Sequence, residues 1–293
     1  MDEYNGDFRI ATTTGSSWSG DSLNHLFVLN EDMEIVGSVD DLAKGERIYS
    51  VRFMGNRAYM VTFKQVDPLF VIDLSDSENP KVLGYLKVTG YSSYLHPYDE
   101  NHIIGVGKEA SEEGRVQGVK IALFDVSDVS NPKEIGKYEI SEGWSDSEAL
   151  WDHKAFLFDK ERGLLVIPVS YNKQIEVRDS EGRLYPNYEY WQGAFVFDVD
   201  LRGIDLRGKI QHESKESDNY YYSSGEYVRR SLYMDDILYT ISQRMIKANG
   251  LDDLGEINKV ELPYSQEDYP IYYAESGVGV GGVEVSTPRI VVD

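Results

Sequence analysis

A chain of 293 residues is long enough for one large all-β domain or for two ordinary domains, so its internal repeats must decide between them. The 51 acidic and 29 basic residues give a formal net charge of -22. That charge repels nucleic-acid phosphates and anionic lipid headgroups, which argues against nucleic acid as a partner. The absence of cysteine excludes disulfides, zinc–thiolate sites and thiol catalysis.

The beginning of the chain carries no membrane signal. The sequence MDEYNGDF lacks a basic segment followed by an apolar one. No apolar run in the chain approaches the roughly 20 residues that a spanning helix needs. We therefore expect no direct membrane insertion in this segment.

Five stretches of the chain share one pattern, in which an apolar β run ends in Asp or Asn, a polar turn follows and a second β run begins. They occupy residues 26–39, 69–88, 121–140, 194–210 and 245–262. Measured at the Asp or Asn, successive units are 43, 52, 73 and 51 residues apart. Periods in this range are typical of propeller blades or other arrays.

A further hairpin pattern precedes each of the last four units, at residues 48–63, 91–107, 149–169 and 227–242. Four antiparallel strands per repeat, A to D, predict an all-β fold, a β-propeller with about five visible blades. The first repeat has strands B to D from Phe8 onward but no evident strand A. We predict that residues 1–263 form the blades and that residues 264–293 are a tail or a closing strand. The alternative is that the blades belong to a larger ring.

The turns between strands C and D contain the most regular feature of the chain. DLSDSENPKVLG occupies residues 73–84, and DVSDVSNPKEIG repeats it at 125–136. Such an Asp can accept hydrogen bonds from backbone amides just beyond it, and an Asn-Pro pair redirects the chain into the next strand. We therefore predict a structural role in the turns for six residues: Asp73, Asn79, Pro80, Asp125, Asn131 and Pro132.

These turns resemble the LVIVD-type repeats of bacterial and archaeal cell-surface proteins. Residues 147–170 and 227–242 are more closely similar to secreted proteins with a C-terminal β-propeller distantly related to WD repeats. The resemblance extends to about Pro263. It implies an extracytoplasmic protein, extracellular or at the cell surface, and it brings no catalytic motif. Members of that family are usually longer at the N-terminus.

Motifs for catalysis or metal binding are sparse. His96 and His102, with Asp99 and Glu100, could hold a metal, but a turn between strands A and B already explains this composition. No nucleophile elbow, zinc-protease motif or phosphate-binding loop occurs. We predict no catalytic residues, no metal site and no cofactor. Calcium remains an option only through a loop unlike that of an EF-hand.

Strand alternation gives a clearer indication of function. In a four-stranded blade the B to C and D to A connections share one face, and the long insertions at 13–24, 108–118, 170–193 and 213–225 all belong to it. Long loops on a rigid scaffold commonly form binding surfaces, although loops also lengthen where nothing prevents it. Aromatic residues with polar tips suit protein or glycan partners. The candidate ligand-binding residues are Trp18, Tyr171, Tyr185, Tyr188, Tyr190, Trp191, Tyr220, Tyr221 and Tyr222.

Two functions from different classes follow. The first is a non-catalytic, extracytoplasmic propeller that binds a protein or glycan through its long-loop face. The second is an enzyme, a hydrolase or a quinoprotein-like oxidoreductase, with its site at the mouth of the central channel. Carboxylates converging with a histidine would favour the enzyme, and a broad aromatic surface would favour the binding protein.

Overall fold

The computed structural model describes residues 1–63, 67–111, 113–178, 181–212 and 224–263. Their strands form five antiparallel sheets that follow one another along the chain, and within each sheet the strands lie side by side in chain order, except that the first strand of the fourth sheet is divided in two. The first two sheets contain β1 (Asp2–Tyr4), β2 (Asp7–Thr14), β3 (Leu23–Leu29) and β4 (Ile35–Leu42), then β5 (Arg47–Met54), β6 (Arg57–Phe63), β7 (Asp67–Asp73) and β8 (Lys81–Val88).

The third, fourth and fifth sheets repeat this plan. The third contains β9 (Tyr91–Asp99), β10 (His102–Ala110), β11 (Val116–Asp125) and β12 (Lys133–Glu139). The fourth contains β13 (Trp144–Asp146), β14 (Leu157–Asp159), β15 (Leu164–Arg178), β16 (Leu184–Asp200) and β17 (Gly203–Ile210). The fifth contains β18 (Arg230–Met234), β19 (Ile237–Ile241), β20 (Met245–Gly250) and β21 (Glu256–Glu261). The predicted fold, a β-propeller of four-stranded blades, is confirmed.

The core lies between the sheets, because the central strands of a blade are covered on both faces. Four apolar clusters fill the four seams between consecutive sheets. On β10, Ile103 packs toward the second sheet and Ile104 toward the fourth, and both are fully buried. This two-sided burial explains why the central strands read as continuous apolar runs such as LLVIPV rather than as an alternating pattern.

The first sheet corrects the prediction that its strand A is missing. β1 pairs with β2 through a tight turn at Asn5 and Gly6, whose φ angles are 56° and 87°. Positive φ at both central positions is the requirement of the type I′ hairpin, for which Asn-Gly is the preferred pair. The strand has only three residues, DEY, and these are polar. It therefore lacks the apolar pattern by which the other strands are predicted.

The fourth sheet departs from the predicted hairpin at 149–169. Its first strand is divided into β13 and β14, and two 3₁₀ turns, Glu148–Leu150 and His153–Ala155, lie between them. His153 lies in the second of these turns and is exposed. The helices of the described residues are three-residue 3₁₀ turns, and none is long or apolar enough to cross a membrane.

The insertion at 170–193 is also different from the loop that the sequence predicts. β15 and β16 continue to pair from Leu164 opposite Asp198 as far as Arg178 opposite Leu184. The insertion is thus a long hairpin inside the sheet ladder. Its alternation of polar and aromatic residues is typical of strands that are solvated on part of their surface. The insertion is long, and length alone suggested a loop. The predicted tail at 264–293 lies outside the described residues.

The repeated turns have the local geometry of Asx turns. The Asp73 carboxylate accepts a hydrogen bond from the Ser75 amide at 3.0 Å, and that of Asp125 accepts one from the Ser127 amide at 2.9 Å. The Ser127 hydroxyl and amide hold the pKa of Asp125 below its usual range. The amides of Asn79 and Asn131 close the next turn on backbone carbonyls, and Pro80 and Pro132 directly precede β8 and β12.

A glycine in the last strand of each of the first two blades is explained by the neighbouring blade. A Cβ atom on Gly37 would lie 2.1 Å from the Ser77 carbonyl oxygen, and one on Gly84 would lie 2.4 Å from that of Val129. The C to D turn of one blade therefore lies against the last strand of the blade before it. Only glycine permits this approach, so the repeated sequence encodes blade stacking as well as a turn.

Replacing Asp73 or Asp125 by alanine should lower the free energy of unfolding by about 0.5–2 kcal/mol, because each loses side-chain bonds to backbone amides comparable with a helix cap. Urea denaturation of the two variants measures this. Glu100→Ala, at an exposed turn acid, serves as the control and should change stability by less than about 0.5 kcal/mol. Unaltered unfolding together with lost ligand binding would contradict the structural role.

Candidate functional site

A cleft of about 260 Å³ opens above the seam between the fourth and fifth sheets, on the face of the long connections. β13, the first 3₁₀ turn, the β15–β16 hairpin and the segment before β18 contribute to it. Its walls are formed by Asp146, Ser147, Glu148, Trp151, Pro168, Val169, Ser170, Tyr190, Gln192, Tyr227, Val228 and Arg229. We refer to it as the D/E cleft, where D and E denote the fourth and fifth sheets and not strands.

Three aromatic side chains give the D/E cleft its apolar surface. The rings of Tyr190 and Tyr227 lie 5.8 Å apart between centroids with a tilt of 32°. Trp151 projects from the divided first strand of the fourth sheet, and 68% of it is exposed. An exposed tryptophan beside two tyrosines provides rigid contact area whose polar tips can still bind hydrogen-bonding groups.

The position of Trp151 depends on a capped 3₁₀ turn. The Ser147 hydroxyl oxygen accepts from the Ala149 amide at 3.2 Å, and the hydroxyl donates to the Pro168 carbonyl at 2.5 Å. The second turn starts at Asp152, whose carboxylate accepts from the Lys154 amide at 3.0 Å. The Ser147–Pro168 bond connects the insertion within the first strand to β15, and the other bonds hold the two turns that flank Trp151. The backbone at Trp151 is therefore held in one position.

Both carboxylates of the D/E cleft already have cationic partners. Asp146 is 3.0 Å from the Lys108 ammonium, and Glu148 is 3.0 Å from the Arg230 guanidinium. Arg230 also pairs with Asp152, and it thereby joins the fifth sheet to the fourth. The Lys154 amide and the Arg230 charge hold the pKa of Asp152 below its usual range. These acids are arranged for structure and positioning rather than as a free acid–base pair.

Gln192 fixes the seam beneath the cleft. Its amide nitrogen donates to the Val228 carbonyl at 2.8 Å, and its amide oxygen accepts from the Val228 amide at 2.8 Å. This is the pairing that a neighbouring strand would make, here supplied by a side chain. The segment that carries Tyr227 and Arg229 is therefore held against β16.

The structure separates the candidate residues of the sequence into groups. Tyr190 lines the D/E cleft, whereas Tyr171 and Trp191 lie on the other face of the hairpin, stacked at 5.4 Å on the core between the third and fourth sheets. Tyr185 and Tyr188 are exposed on the distal hairpin. Trp18 is 99% exposed in the loop between β2 and β3. Tyr220, Tyr221 and Tyr222 lie outside the described residues.

A lysine covers the ring pair that faces away from the D/E cleft. The Lys209 ammonium lies 5.1 Å from the centroid of Tyr171, 5.6 Å from that of Trp191 and 4.4 Å from that of Phe195. Glu142 pairs with this ammonium at 2.6 Å. Rings already engaged by an internal cation are better explained as packing than as a ligand surface.

The sequence did not single out Trp151, Tyr227 or Arg229 as site residues. All three lie in or beside predicted strands, where an aromatic or a long side chain is expected to pack. Their shared location arises from the 3₁₀ insertion and from the bonds of Gln192 to Val228. One feature of the sequence could have indicated the site, namely the adjacent arginines Arg229 and Arg230 in an acidic chain. Arg230 pairs with acids of the fourth sheet, whereas Arg229 lines the cleft.

The histidines considered for metal binding point to different environments. His102 bonds to Asp99 at 2.7 Å, while His96 bonds to the Tyr94 hydroxyl at 3.0 Å and packs on Phe156. Burial, together with the Arg52 charge, lowers the pKa of His96 to about 4. Across the described ranges, no three His, Asp or Glu side chains converge in a way that could hold a metal ion.

Comparison with known proteins adds the family. A model of the family described as "Beta propeller domain" matches residues 1–254. The chain belongs to the beta propeller domain family. The match covers the first four sheets and most of the fifth. The resemblance of the repeats to β-propeller proteins is thus confirmed as regards the propeller.

Two archaeal proteins are similar to the chain. An uncharacterised protein of Methanocaldococcus jannaschii is 38% identical over 269 residues, which are 90% of this chain and 37% of that protein. An uncharacterised protein of Archaeoglobus fulgidus is 48% identical over 175 residues, 60% of this chain and 26% of that protein. The matched part of the chain thus spans little more than a third of the length of the first relative and about a quarter of the length of the second. Among solved structures, Hsv2 of Kluyveromyces lactis matches 84% of this chain and 61% of its own, with a TM-score of 0.35 and 11% identity.

Proposed function

We propose that this propeller is a non-catalytic binding scaffold and that it holds a glycan or protein ligand in the D/E cleft. The observation that carries the proposal is the juxtaposition of Trp151, Tyr190 and Tyr227 around one opening on the face of the long connections. Aromatic surface concentrated in a concave site is typical of ligand recognition.

The rigidity of the surroundings supports this function. The seam below the cleft contains the fully buried Leu164, Val166 and Val196 of the fourth sheet and Leu238 of the fifth. Arg230 and Gln192 connect the same two sheets at the level of the cleft. A preformed site loses little conformational entropy when a ligand binds, which raises affinity for a given contact area.

The state of the carboxylates favours binding over catalysis. A general acid or base needs a proton-accepting atom within reach of the substrate, whereas Asp146 and Glu148 each face a cation of the protein at 3.0 Å. Their charges orient Lys108 and Arg230 and shape the wall of the cleft. We therefore prefer a binding protein to a hydrolase or an oxidoreductase with a site at the channel mouth.

The location of the protein is part of the proposal. The resemblance of the repeats to secreted and cell-surface propellers implies an extracytoplasmic site, where polysaccharides and envelope proteins are the available partners. The formal charge of -22 suits a solvated surface in that setting. Cell fractionation with an antibody against the propeller tests this part independently of binding, and recovery only with the cytoplasmic fraction would contradict it.

The site is tested with a glycan array and a pull-down of envelope proteins. The double variant Tyr190→Ala/Tyr227→Ala should weaken binding of the strongest ligand by about 10-fold or more, since a loss of about 1.4 kcal/mol, typical of one aromatic anchor at the centre of a site, is already a factor of 10. Tyr185→Ala/Tyr188→Ala, at the exposed hairpin, should retain it.

The two double variants also separate the cleft from the hairpin. Loss of binding in the hairpin variant alone would place the ligand on the distal hairpin and would overturn the cleft as the site. Melting temperatures within a few degrees of the wild-type value are required of both variants, because the comparison concerns folded proteins.

A further inference from the structure

The hydrogen-bonding groups of the D/E cleft are unequally occupied. Acceptors of the wall are already used within the protein: Asp146 accepts from Lys108 and from the Ser147 amide, and Glu148 accepts from Arg230. The amide of Gln192 is satisfied on both atoms by Val228. The two acids are therefore engaged in ion pairs, and the Gln192 amide is fully used within the protein.

Several hydrogen-bond donors in the wall of the cleft have no partner among the residues that the structure describes. Within the part of the chain that the structure describes, no carboxylate or carbonyl pairs with the Arg229 guanidinium, and its Nε is buried without an acceptor. The Tyr227 hydroxyl, the Ser170 hydroxyl and the Trp151 indole N–H likewise have no hydrogen bond to another described residue. Arginine and tryptophan are donors only, so the cleft offers donors to whatever occupies it.

Arg229 differs in this respect from its neighbour Arg230. Arg230 faces Glu148 and Asp152, so its charge is neutralised within the protein. The backbone of Arg229 is held in place, since its amide donates to the Ile241 carbonyl at 2.9 Å. The side chain is therefore fixed at its root beside the tyrosine pair, and its positive charge has no carboxylate partner among the described residues.

From this distribution we infer that the D/E cleft recognises a hexuronic acid residue of an acidic glycan, with its carboxylate on Arg229 and its ring against Tyr190 and Tyr227. This inference rests on the proposed function and specifies its ligand. A guanidinium binds a planar carboxylate through two parallel hydrogen bonds. Ser170, Trp151 and the Tyr227 hydroxyl then donate to ring and hydroxyl oxygens.

The charge of the protein selects a singly charged group. A chain with a formal charge of -22 repels polyanions at long range, and Asp146 and Glu148 lie in the wall of the same cleft. One carboxylate matches the one guanidinium of the cleft that has no acidic partner among the described residues, whereas a cluster of phosphates or sulfates would carry more negative charge than it neutralises. A volume of about 260 Å³ admits a sugar residue with part of its neighbour, and not a folded domain.

Isothermal titration with three small probes tests the assignment: a trisaccharide with a single galacturonate residue, the methyl ester of that trisaccharide, and a tripeptide with a free carboxyl terminus. The wild-type protein should bind the free acid about 10-fold or more tightly than the neutral ester, because a hydrogen bond to a charged group contributes more than one to a neutral group. The tripeptide should bind more weakly than the free acid.

Substitution of Arg229 should remove this preference. Arg229→Gln should weaken binding of the acidic trisaccharide about 10- to 100-fold and leave binding of its ester nearly unchanged. Arg229→Lys keeps the charge but lacks the planar pair of donors, so its affinity for the acid should lie between those of the wild type and Arg229→Gln. It serves as a second variant if Arg229→Gln does not fold. Arg202→Gln is the matched control, since Arg202 is 91% exposed in the turn after β16 and changes the net charge equally.

Equal affinity for acid and ester, tighter binding of the tripeptide, unaltered binding by Arg229→Gln, or no binding of any probe would each overturn the inference. The fate of the proposed function is read separately from Tyr190→Ala/Tyr227→Ala. If the ester binds as well as the acid and this variant loses both, the cleft remains the binding site and only the assignment of a uronic acid as its ligand is contradicted. If the variant retains the acid, the cleft itself is not the site.

Discussion

Replacing Trp191 by alanine should lower the free energy of unfolding by about 3 kcal/mol, as expected for removal of a large aromatic side chain from a packed site. Trp191 stacks on Tyr171 at 5.4 Å and meets Phe195 edge-on at 5.2 Å, and the Lys209 ammonium lies 5.6 Å from its ring. Gly193 makes this packing possible, because a Cβ there would lie 2.7 Å from the indole ring. Urea denaturation with a shared m-value measures the loss.

Tyr188→Ala is the matched control on the same strand. Tyr188 is 63% exposed, so its removal should change stability by less than about 0.5 kcal/mol. Equal losses in the two variants would contradict the assignment of the two faces of the hairpin. Trp191→Ala should also retain the ligand of the D/E cleft once allowance is made for the unfolded fraction, since Trp191 lies on the face turned away from it.

Acidification should weaken the seam between the fourth and fifth sheets through His212. This side chain is 4% exposed, and its ring nitrogens lie 2.8 Å from the Thr240 hydroxyl and 3.0 Å from that of Ser242. Burial, reinforced by the Lys247 charge, lowers the pKa of His212 to about 4. The pKa of histidine in the unfolded chain is about 6.5.

The direction of the pH effect follows from which state takes up the proton. Above about pH 6.5 His212 is neutral in both states, so its contribution to stability is fully present. Between about pH 6.5 and pH 4 only the unfolded chain binds the proton, and stability falls by about 1.4 kcal/mol per pH unit to a total of about 3 kcal/mol. Denaturation curves of wild type and His212→Gln at pH 7 and pH 4.5 measure the difference.

His212→Gln should be less stable than wild type at pH 7 but should lose less stability on acidification. His96, whose pKa is also lowered to about 4, is present in both proteins and contributes equally to each. His153→Gln is the control, because it removes a histidine from an exposed turn and should leave the pH slope as in wild type. A slope for His212→Gln equal to that of wild type would contradict the account.

The repeats were sufficient to predict the blades, because a strand buried on both faces needs a continuous apolar run and such runs recur with their turns. Gly37 and Gly84 show how far this information extends, since the same repeat also encodes contact between blades. β1 was missed because three polar residues carry no periodicity. The Asn5-Gly6 pair, with its preference for a type I′ turn, was the signal that would have revealed it.

The site could be predicted only in part. Aromatic residues in the insertion at 170–193 indicated a surface, but only the strand register shows that Tyr190 and Trp191 face opposite sides. The D/E cleft also depends on Trp151 and Tyr227, which lie 39 and 37 positions from Tyr190 and meet it through tertiary packing. Ion pairs such as Asp146 with Lys108 and Glu148 with Arg230 engage the acids of the cleft, and this leaves Arg229 without an acidic partner among the described residues. No local pattern contains them.

Hydroxyl-radical footprinting with the strongest ligand from the glycan array tests most directly that the ligand occupies the D/E cleft. Radical modification of each aromatic side chain is quantified by mass spectrometry with and without the ligand. The account predicts protection of Trp151, Tyr190 and Tyr227, with unchanged modification at Trp18 and Tyr188, which are 99% and 63% exposed. Protection at Trp18 or Tyr188 with none at Tyr190 and Tyr227 would contradict it.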